Sequence, residues 1–184
     1  MTSLPDWARR ARQGWRYTGQ ERPSFAETPG PGQESVWDYP RPPALEPDSR
    51  EVVVRHGELE IARSRRAVRV LETASPPGFY IPAADVKMDL LRKAPGTSRC
   101  EWKGVAEYWS LRAAGASAPP VAWTYPAPFA DYERIRGHLA FYPGRVECSV
   151  DGERVRSQPG GFYGGWVTSE IAGPVKGELG SSNW

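Results

Sequence analysis

The sequence predicts one mainly antiparallel β domain with one short helix and an extended N-terminal arm. Nineteen prolines and nineteen glycines divide the 184 residues into short pieces, which disfavours long helices and favours strands and turns. Eight tryptophans and eight tyrosines supply large buried surfaces to a chain of one-domain length. We expect a Pro/Arg-rich arm packed on the domain at 1–50, a core domain at 51–157 and a glycine-rich C-terminal strap at 158–184.

Two hairpins bracket the predicted core. The apolar runs at 52–55 and 59–62 flank a turn at His56 and Gly57. The dipeptide Asp151-Gly152 joins a second pair of such runs, and both of these residue types tolerate the positive φ that a tight hairpin turn requires. Antiparallel strand pairing is therefore expected at both ends of the core.

Shorter elements follow the first hairpin. The alternation of Val68, Val70 and Glu72 on one face predicts a third strand. Residues 79–82 form a short extended segment, and residues 85–91 fit either a helical turn or a strand.

Residues 100–112 are predicted to contain the central strands, and a further strand is predicted through Trp123. In a straight strand Cys100 and Lys103 lie on opposite faces, and a bend at Gly104 would break that register. The one good helix candidate spans residues 129–136, which Gly137 can end. The segment 160–166 contains too much glycine for an element of the core.

The charge balance argues against a nucleic-acid partner. There are 24 basic and 22 acidic residues, a net charge of +2. Near the N-terminus, arginines alternate with aromatic residues, a composition that can stack on bases but also fits an arm lying on its own domain. With so small a net charge, we favour the second interpretation. The residues concerned are Trp7, Arg9, Arg10, Arg12, Trp15, Arg16 and Tyr17.

Several other classes are disfavoured. No apolar run is long enough to span a membrane, and no apolar leader segment is present, so we expect neither a membrane partner nor a signal peptide. Two cysteines, Cys100 and Cys148, form no disulfide framework and indicate a reduced cytoplasmic protein. They also fall short of the ligands of a structural zinc site, and we expect no metal or cofactor.

Short motifs follow one another in a distinctive order between residues 35 and 156. They are Ser35 to Pro43, Arg69 to Thr73, Pro76, Pro77, Phe79 to Pro82, Asp85, Val86, Cys100, Lys103, Gly104, Tyr108, Trp109, Ala122, Trp123, Tyr125 and Gly137 to Tyr142. This ordered set resembles the bacterial domain of unknown function DUF427 family. The resemblance implies a β-tent, a fold of two antiparallel sheets that meet at an edge. Similar tents often carry zinc on paired cysteines, which this sequence lacks, and some bind small molecules in an aromatic cage. The family has also been labelled nucleotidyltransferase.

Our main functional hypothesis is a module that binds a small molecule or a partner in an aromatic-lined pocket. Lys103 or His138 would be the polar anchor, and Lys103 is favoured because a cation among rings suits an anionic ligand. The competing interpretation is that the rings are ordinary core. The candidate ligand-binding residues are Tyr80, Cys100, Lys103, Trp109, Trp123, Tyr125, His138 and Tyr142, with Trp102 as a further ring.

Two other functions stay open. In the first, the chain is an enzyme that uses Cys100 as a nucleophile or redox thiol, or that has the nucleotidyltransferase activity implied by the family label. The paired carboxylates at Glu58 and Glu60 follow a tight turn without a loop that would hold a triphosphate, which leaves that label without a mechanism here. In the second, the arm and the strap wrap a partner or form a homodimer.

Overall fold

The computed structural model describes residues 4–115 and 117–184, and within them β-strands predominate. These residues contain one α-helix, α1 (Asp6–Arg12), and 3-10 helices at Ala83–Asp85, Met88–Leu90 and Ala130–Ile135. The strands are β1 (Glu34–Ser35), β2 (Ala44–Asp48), β3 (Val52–His56), β4 (Leu59–Ser64), β5 (Ala67–Leu71), β6 (Gly78–Ile81), β7 (Leu91–Cys100), β8 (Gly104–Leu111), β9 (Ala122–Thr124), β10 (Leu139–Phe141), β11 (Glu147–Val150), β12 (Glu153–Arg154), β13 (Arg156–Ser157), β14 (Trp166–Val167) and β15 (Ile171–Ala172).

Two antiparallel sheets form the body of the protein, as the mainly β prediction requires. The larger sheet has the order β2-β5-β6-β10-β9-β8-β7, and the smaller has the order β12-β11-β3-β4. Both predicted hairpins are confirmed: β3 pairs with β4 and β11 pairs with β12. At the second hairpin Asp151 and Gly152 adopt φ values of 46° and 84°, the positive values that the Asp-Gly turn predicted.

The alternation of side chains gives the seven-stranded sheet two different faces. Phe79, Ile81 and Phe141 point toward the smaller sheet and share one apolar cluster with its Val52 and Val54. Residues of the intervening parity point the other way and form a second cluster on the outer face. That outer cluster is Val68, Val70, Tyr80, Trp102, Ala106, Tyr125, Tyr132, Ile135 and Ala140.

The two ends of the chain pack together over one edge of the larger sheet. β1 pairs in parallel with β15, so the N-terminal segment is hydrogen-bonded to the C-terminal one. Trp37 is fully buried there, and its Nε1 donates to the Pro174 carbonyl at 3.1 Å. Arg41 reaches the Trp184 carbonyl at 2.8 Å. Residues far apart in sequence therefore stabilise each other beside the outer face of the larger sheet.

Three local expectations are corrected. The predicted helix at 129–136 is a 3-10 helix, because its side chains are drawn into the outer cluster at Tyr132 and Ile135 in a tighter turn. Helix α1 was not predicted, although its acidic start and basic end suit a helix dipole. The glycine-rich tail does enter the core: Trp166 is fully buried, stacks on Phe79 at 4.8 Å and donates Nε1 to the Phe141 carbonyl.

Candidate functional site

The hairpin between β7 and β8 brings Cys100 and Lys103 to one site. β7 ends at Cys100, β8 begins at Gly104, and these two residues pair across the hairpin. The straight-strand alternative for residues 100–112 is therefore wrong, and the break of register at Gly104 is the alternative that the structure shows. Gly104 has φ +105°, a left-handed conformation that favours glycine, so the chain reverses here. The reversal removes the period-two separation that would have put Lys103 and Cys100 on opposite faces.

A cavity of about 290 Å³ opens on the outer face of the seven-stranded sheet. Its sheet side is made by β5, β6, β8 and β9 with the β7–β8 hairpin, and the residues that follow β10 close one end. The chain termini supply the other side, through Trp15 from the arm and residues 162–165 with Lys176 from the strap. We call this cavity the outer-face pocket.

Six of the eight candidate ligand-binding residues line the outer-face pocket. They are Tyr80, Cys100, Lys103, Trp123, Tyr125 and Tyr142. Trp109 does not, because it follows Tyr108 in β8 and packs against the cluster between the sheets. His138 is not among the lining residues either, and its Nδ1 lies 3.2 Å from the Arg136 carbonyl. Trp102 is buried, with the Arg12 guanidinium 4.7 Å from its ring centroid, and is not part of the lining.

Glu72 holds the positive charge of Lys103 in place. Lys103 is only 7% exposed, and its Nζ lies 3.6 Å from Oε2 of Glu72. The buried guanidinium of Arg41 places its Nε 3.4 Å from the other carboxylate oxygen. Burial opposes the charge on Lys103, but the neighbouring Cys100 sulfur and Glu72 carboxylate outweigh it and raise the pKa of Lys103. Lys103 is therefore an ammonium ion at neutral pH.

Lys176 is a second cation of the pocket, in a different environment. It is 2% exposed, and its Nζ lies 3.6 Å from the centroid of the Trp15 ring. Burial lowers the pKa of Lys176 to about 8, and Arg41 adds to this effect against the opposing charges of Glu72 and Glu101. Among residues 4–115 and 117–184, Lys103 forms an ion pair with Glu72, whereas Lys176 forms no ion pair.

The tyrosines of the pocket are neutral hydrogen-bonding groups. Tyr80 Oη accepts a hydrogen bond from Trp123 Nε1 at 3.0 Å, and burial raises the pKa of Tyr80 to about 12. Burial, with the neighbouring Tyr80 and Cys100, also raises the pKa of Tyr125. Both hydroxyls stay protonated near neutral pH and can donate to a ligand.

Trp15 fixes the arm over the pocket. Its Nε1 donates to Oε1 of Glu101 at 2.6 Å, and the Arg41 guanidinium carbon lies 4.2 Å from its ring centroid. Trp15 thus contacts both Arg41 and Lys176, and cation–π attraction stabilises each of these contacts. Nothing in the local sequence pattern indicated that Trp15 or Lys176 would reach the same site as Lys103.

The described part of the chain has neither a cluster of metal ligands nor a membrane-spanning helix. Residues 4–115 and 117–184 contain no group of three or more His, Cys, Asp or Glu side chains placed to hold a metal ion. None of the helices in this part of the chain is long and apolar enough to cross a membrane.

A comparison with protein families gives a match. The model of a family described as a domain of unknown function (DUF427), whose short label denotes a nucleotidyltransferase, matches residues 44–152. No curated protein matches the chain. The matched range contains Glu72, Cys100 and Lys103, whereas Trp15 and Lys176 lie outside it.

Proposed function

Since this chain belongs to the DUF427 family, whose function is unknown, we propose from its site that it binds a small anionic molecule with a flat apolar body. The outer-face pocket would be the binding site, with Lys103 as the anchor of the anionic group. The observation that carries the proposal is a buried ammonium group that lines an aromatic cavity. A cation in such a place is held charged by Glu72 and is accessible to a ligand from the cavity side.

The size of the cavity suits a small metabolite. Ligand pockets commonly span roughly 300–1,000 Å³, and about 290 Å³ lies at the lower end. The rings of Tyr80, Trp123, Tyr125 and Tyr142 would cover the apolar body of the ligand. Burying one aromatic ring of about 150 Å² gains roughly 4 kcal/mol at about 25 cal/mol per Å². Association costs at least about 4 kcal/mol, so an ionic contact is needed for net binding.

Isothermal titration calorimetry with 3-phenyllactate tests the proposal, since this probe joins a carboxylate to a flat ring. Lys103→Met should weaken binding about tenfold to a hundredfold, because a hydrogen bond to a charged group contributes about 1.5–3 kcal/mol. Lys87→Met is the matched control, because Lys87 is exposed and lies outside the lining. Phenyl phosphate in place of phenyllactate would show whether the pocket prefers a phosphate, and benzyl alcohol tests whether the charge is required. Equal affinity of the two lysine variants would contradict the proposal.

A thiol-dependent enzyme is the second candidate function, and one observation favours it. Cys100 is partly exposed, lines the pocket and lies beside the Lys103 ammonium group, whereas Cys148 is buried between the sheets. A reactive cysteine must be accessible to its substrate, and Cys100 is the cysteine that a ligand in the pocket would contact. The expected result is loss of turnover in Cys100→Ser with retention of ligand binding.

The nucleotidyltransferase label finds less support in the site. Transfer of a nucleotide requires carboxylates that hold divalent cations. The carboxylates of the pocket are already engaged, Glu72 by Arg41 and Lys103, and Glu101 by Trp15. We therefore do not extend that label to this chain.

We also propose that the protein is cytoplasmic. Both cysteines are free in the structure, which suits a reduced cytoplasmic protein. A homodimer through the arm and the strap is the alternative to a monomer, and light scattering of the full chain distinguishes the two.

A further inference from the structure

We propose that Lys176 condenses with the carbonyl group of a ligand whose carboxylate is held by Lys103, so that the outer-face pocket captures 2-oxo acids as an imine. This inference deepens the proposed anion binding and rests on it. The geometry that carries it is the presence of two lysines in one aromatic cavity, one paired with a carboxylate and one not.

The strap holds the backbone of Lys176 firmly at the pocket. The Lys176 amide N donates to the Ala74 carbonyl at 2.7 Å, and the Lys176 carbonyl accepts from Gln158 Nε2 at 2.7 Å. Oε1 of the same Gln158 side chain accepts from the Gly165 amide at 3.0 Å. The amine is thereby presented from a fixed backbone position, as a covalent role requires.

Burial of Lys176 favours a neutral amine. The rings of Trp15 and Tyr163 lie 3.6 Å and 5.0 Å from Nζ, measured to the ring centroids, and their cation–π attraction opposes the effect of burial only in part. The charged and titratable groups that face it are Arg41, Glu72, Glu101 and Cys100, together with Tyr163. None of the carboxylates approaches it within ion-pair distance in the described part of the chain, so the cost of burying the charge is only partly offset.

The two lysines therefore have different roles toward an oxo acid, one as nucleophile and one as the group that binds its carboxylate. With a pKa of about 8, roughly a quarter of Lys176 is neutral near pH 7.5, on the order of a hundredfold more than for an ordinary lysine. Lys103 stays charged and cannot act as a nucleophile, but it can bind the carboxylate. Environments that separate the pKa values of two like groups are a recurrent sign of two different roles.

The step balances without an external reagent. The lone pair of neutral Nζ attacks the ketone carbon, and the π electrons move to the oxygen. The nitrogen loses two protons in all, and the oxygen leaves with them as water when the C–O bond breaks. A C=N bond joins Lys176 to the ligand, with no change in oxidation state, and hydrolysis reverses it.

Borohydride trapping of the full chain with phenylpyruvate tests the inference. The chain has four lysines, so peptide mapping assigns the reduced adduct to Lys87, Lys93, Lys103, Lys176 or the α-amino group. The expected result is an adduct on the Lys176 peptide of the wild-type chain, at least tenfold above any other site. Lys176→Arg should remove it, Lys103→Met should reduce it about tenfold, and Lys87→Arg should leave it unchanged.

The outcomes separate this inference from the proposed function. Phenyllactate has the same carboxylate and ring but no ketone, so its Lys103-dependent binding reports anion capture alone. If phenyllactate binds and phenylpyruvate gives no Lys176 adduct, imine formation is overturned and anion binding stands. An adduct spread evenly over the α-amino group and the exposed lysines also overturns it. If phenyllactate itself fails to bind, both proposals are refuted.

Discussion

Replacing Glu72 with glutamine separates a ligand anchor from a purely structural ion pair. Glu72 lies 3.6 Å from Lys103 Nζ and 3.4 Å from Arg41 Nε, and its side chain is 18% exposed. At an effective dielectric constant of about 20, two unit charges 3.6 Å apart attract by about 4.6 kcal/mol. Desolvation of both groups offsets part of that attraction, and breaking a buried pair costs about 3–5 kcal/mol. We expect Glu72→Gln to lower the free energy of unfolding by about 3 kcal/mol.

The same substitution should strengthen anion binding, because the competing carboxylate is gone and the anionic group of the ligand takes its place beside Lys103 and Arg41, where it favours the charged form of Lys103. The assay is urea unfolding with and without phenyllactate, combined with calorimetry of the ligand. A ligand at a hundred times its Kd stabilises the native state by about 2.7 kcal/mol, so phenyllactate should restore most of the lost stability. Glu58→Gln, at an exposed hairpin turn, is the control for removing one negative charge.

A variant that loses stability but binds phenyllactate no better than the wild type would refute this reasoning. Such a result would mean that Lys103 and Glu72 form a structural pair whose charge a ligand does not reach. A variant that keeps its stability would instead show that water screens the pair more strongly than its burial indicates.

Three further predictions concern the rest of the pocket. Lys176 has a pKa of about 8 in the folded chain against an ordinary value of 10.5, so the unfolded chain binds more protons between these pH values. The cost of burying the charge is complete below about pH 8 and is relieved as the pH rises to about 10.5, by up to about 3 kcal/mol. In urea unfolding, the free energy of unfolding should therefore rise less between about pH 7.5 and 9.5 in Lys176→Met than in the wild type, and parallel changes would contradict this. Gly164→Ala would place a Cβ 2.4 Å from Trp123 Cη2. It should destabilise the chain by about 1–3 kcal/mol in thermal melts and weaken phenyllactate binding. The control is Gly115→Ala, whose Cβ would meet no atom within 4 Å and which should leave the melting temperature unchanged. Iodoacetamide should label Cys100 faster than Cys148, because burial raises the pKa of the Cys148 thiol and Cys100 faces the pocket. Mass spectrometry measures both labelling rates, and equally slow labelling of the two cysteines would exclude a reactive thiol.

The sequence predicted the strands well because their signals are local. The hairpins at His56-Gly57 and Asp151-Gly152 have turn chemistry that alone specifies antiparallel pairing. The period of two also predicted correctly that Val70 and Glu72 share a face, and this is the face that lines the pocket. Local patterning could not assign Glu72 a role, because its partner Arg41 lies on the arm and its partner Lys103 lies on a different hairpin.

The sequence indicated the turn between Cys100 and Gly104 only as an alternative, a bend at Gly104, for a physical reason. The three residues between them carry no Asn, Asp, Gly or Pro, the usual turn formers, and Gly104 itself already pairs in β8. An aromatic run without turn residues is typical of a strand, so period two was extended across it. Tertiary packing decides otherwise, since the Phe129 amide donates to the Lys103 carbonyl at 3.2 Å.

The position of the pocket explains why the termini matter to its chemistry. The space between the two sheets is filled by the apolar cluster that includes Phe79 and Phe141. The outer face of the larger sheet instead carries Lys103 and Cys100, and it gains Trp15 and Lys176 only because both chain ends pack over it. The matched family segment supplies the residues that bind an anion, whereas residues outside it supply the second amine. We therefore expect Trp15→Leu to alter the reactivity of Lys176 toward phenylpyruvate, because Trp15 contacts both Lys176 and Arg41. The affinity for phenyllactate should stay within about threefold of the wild type, because the anchor at Lys103 is held by Glu72.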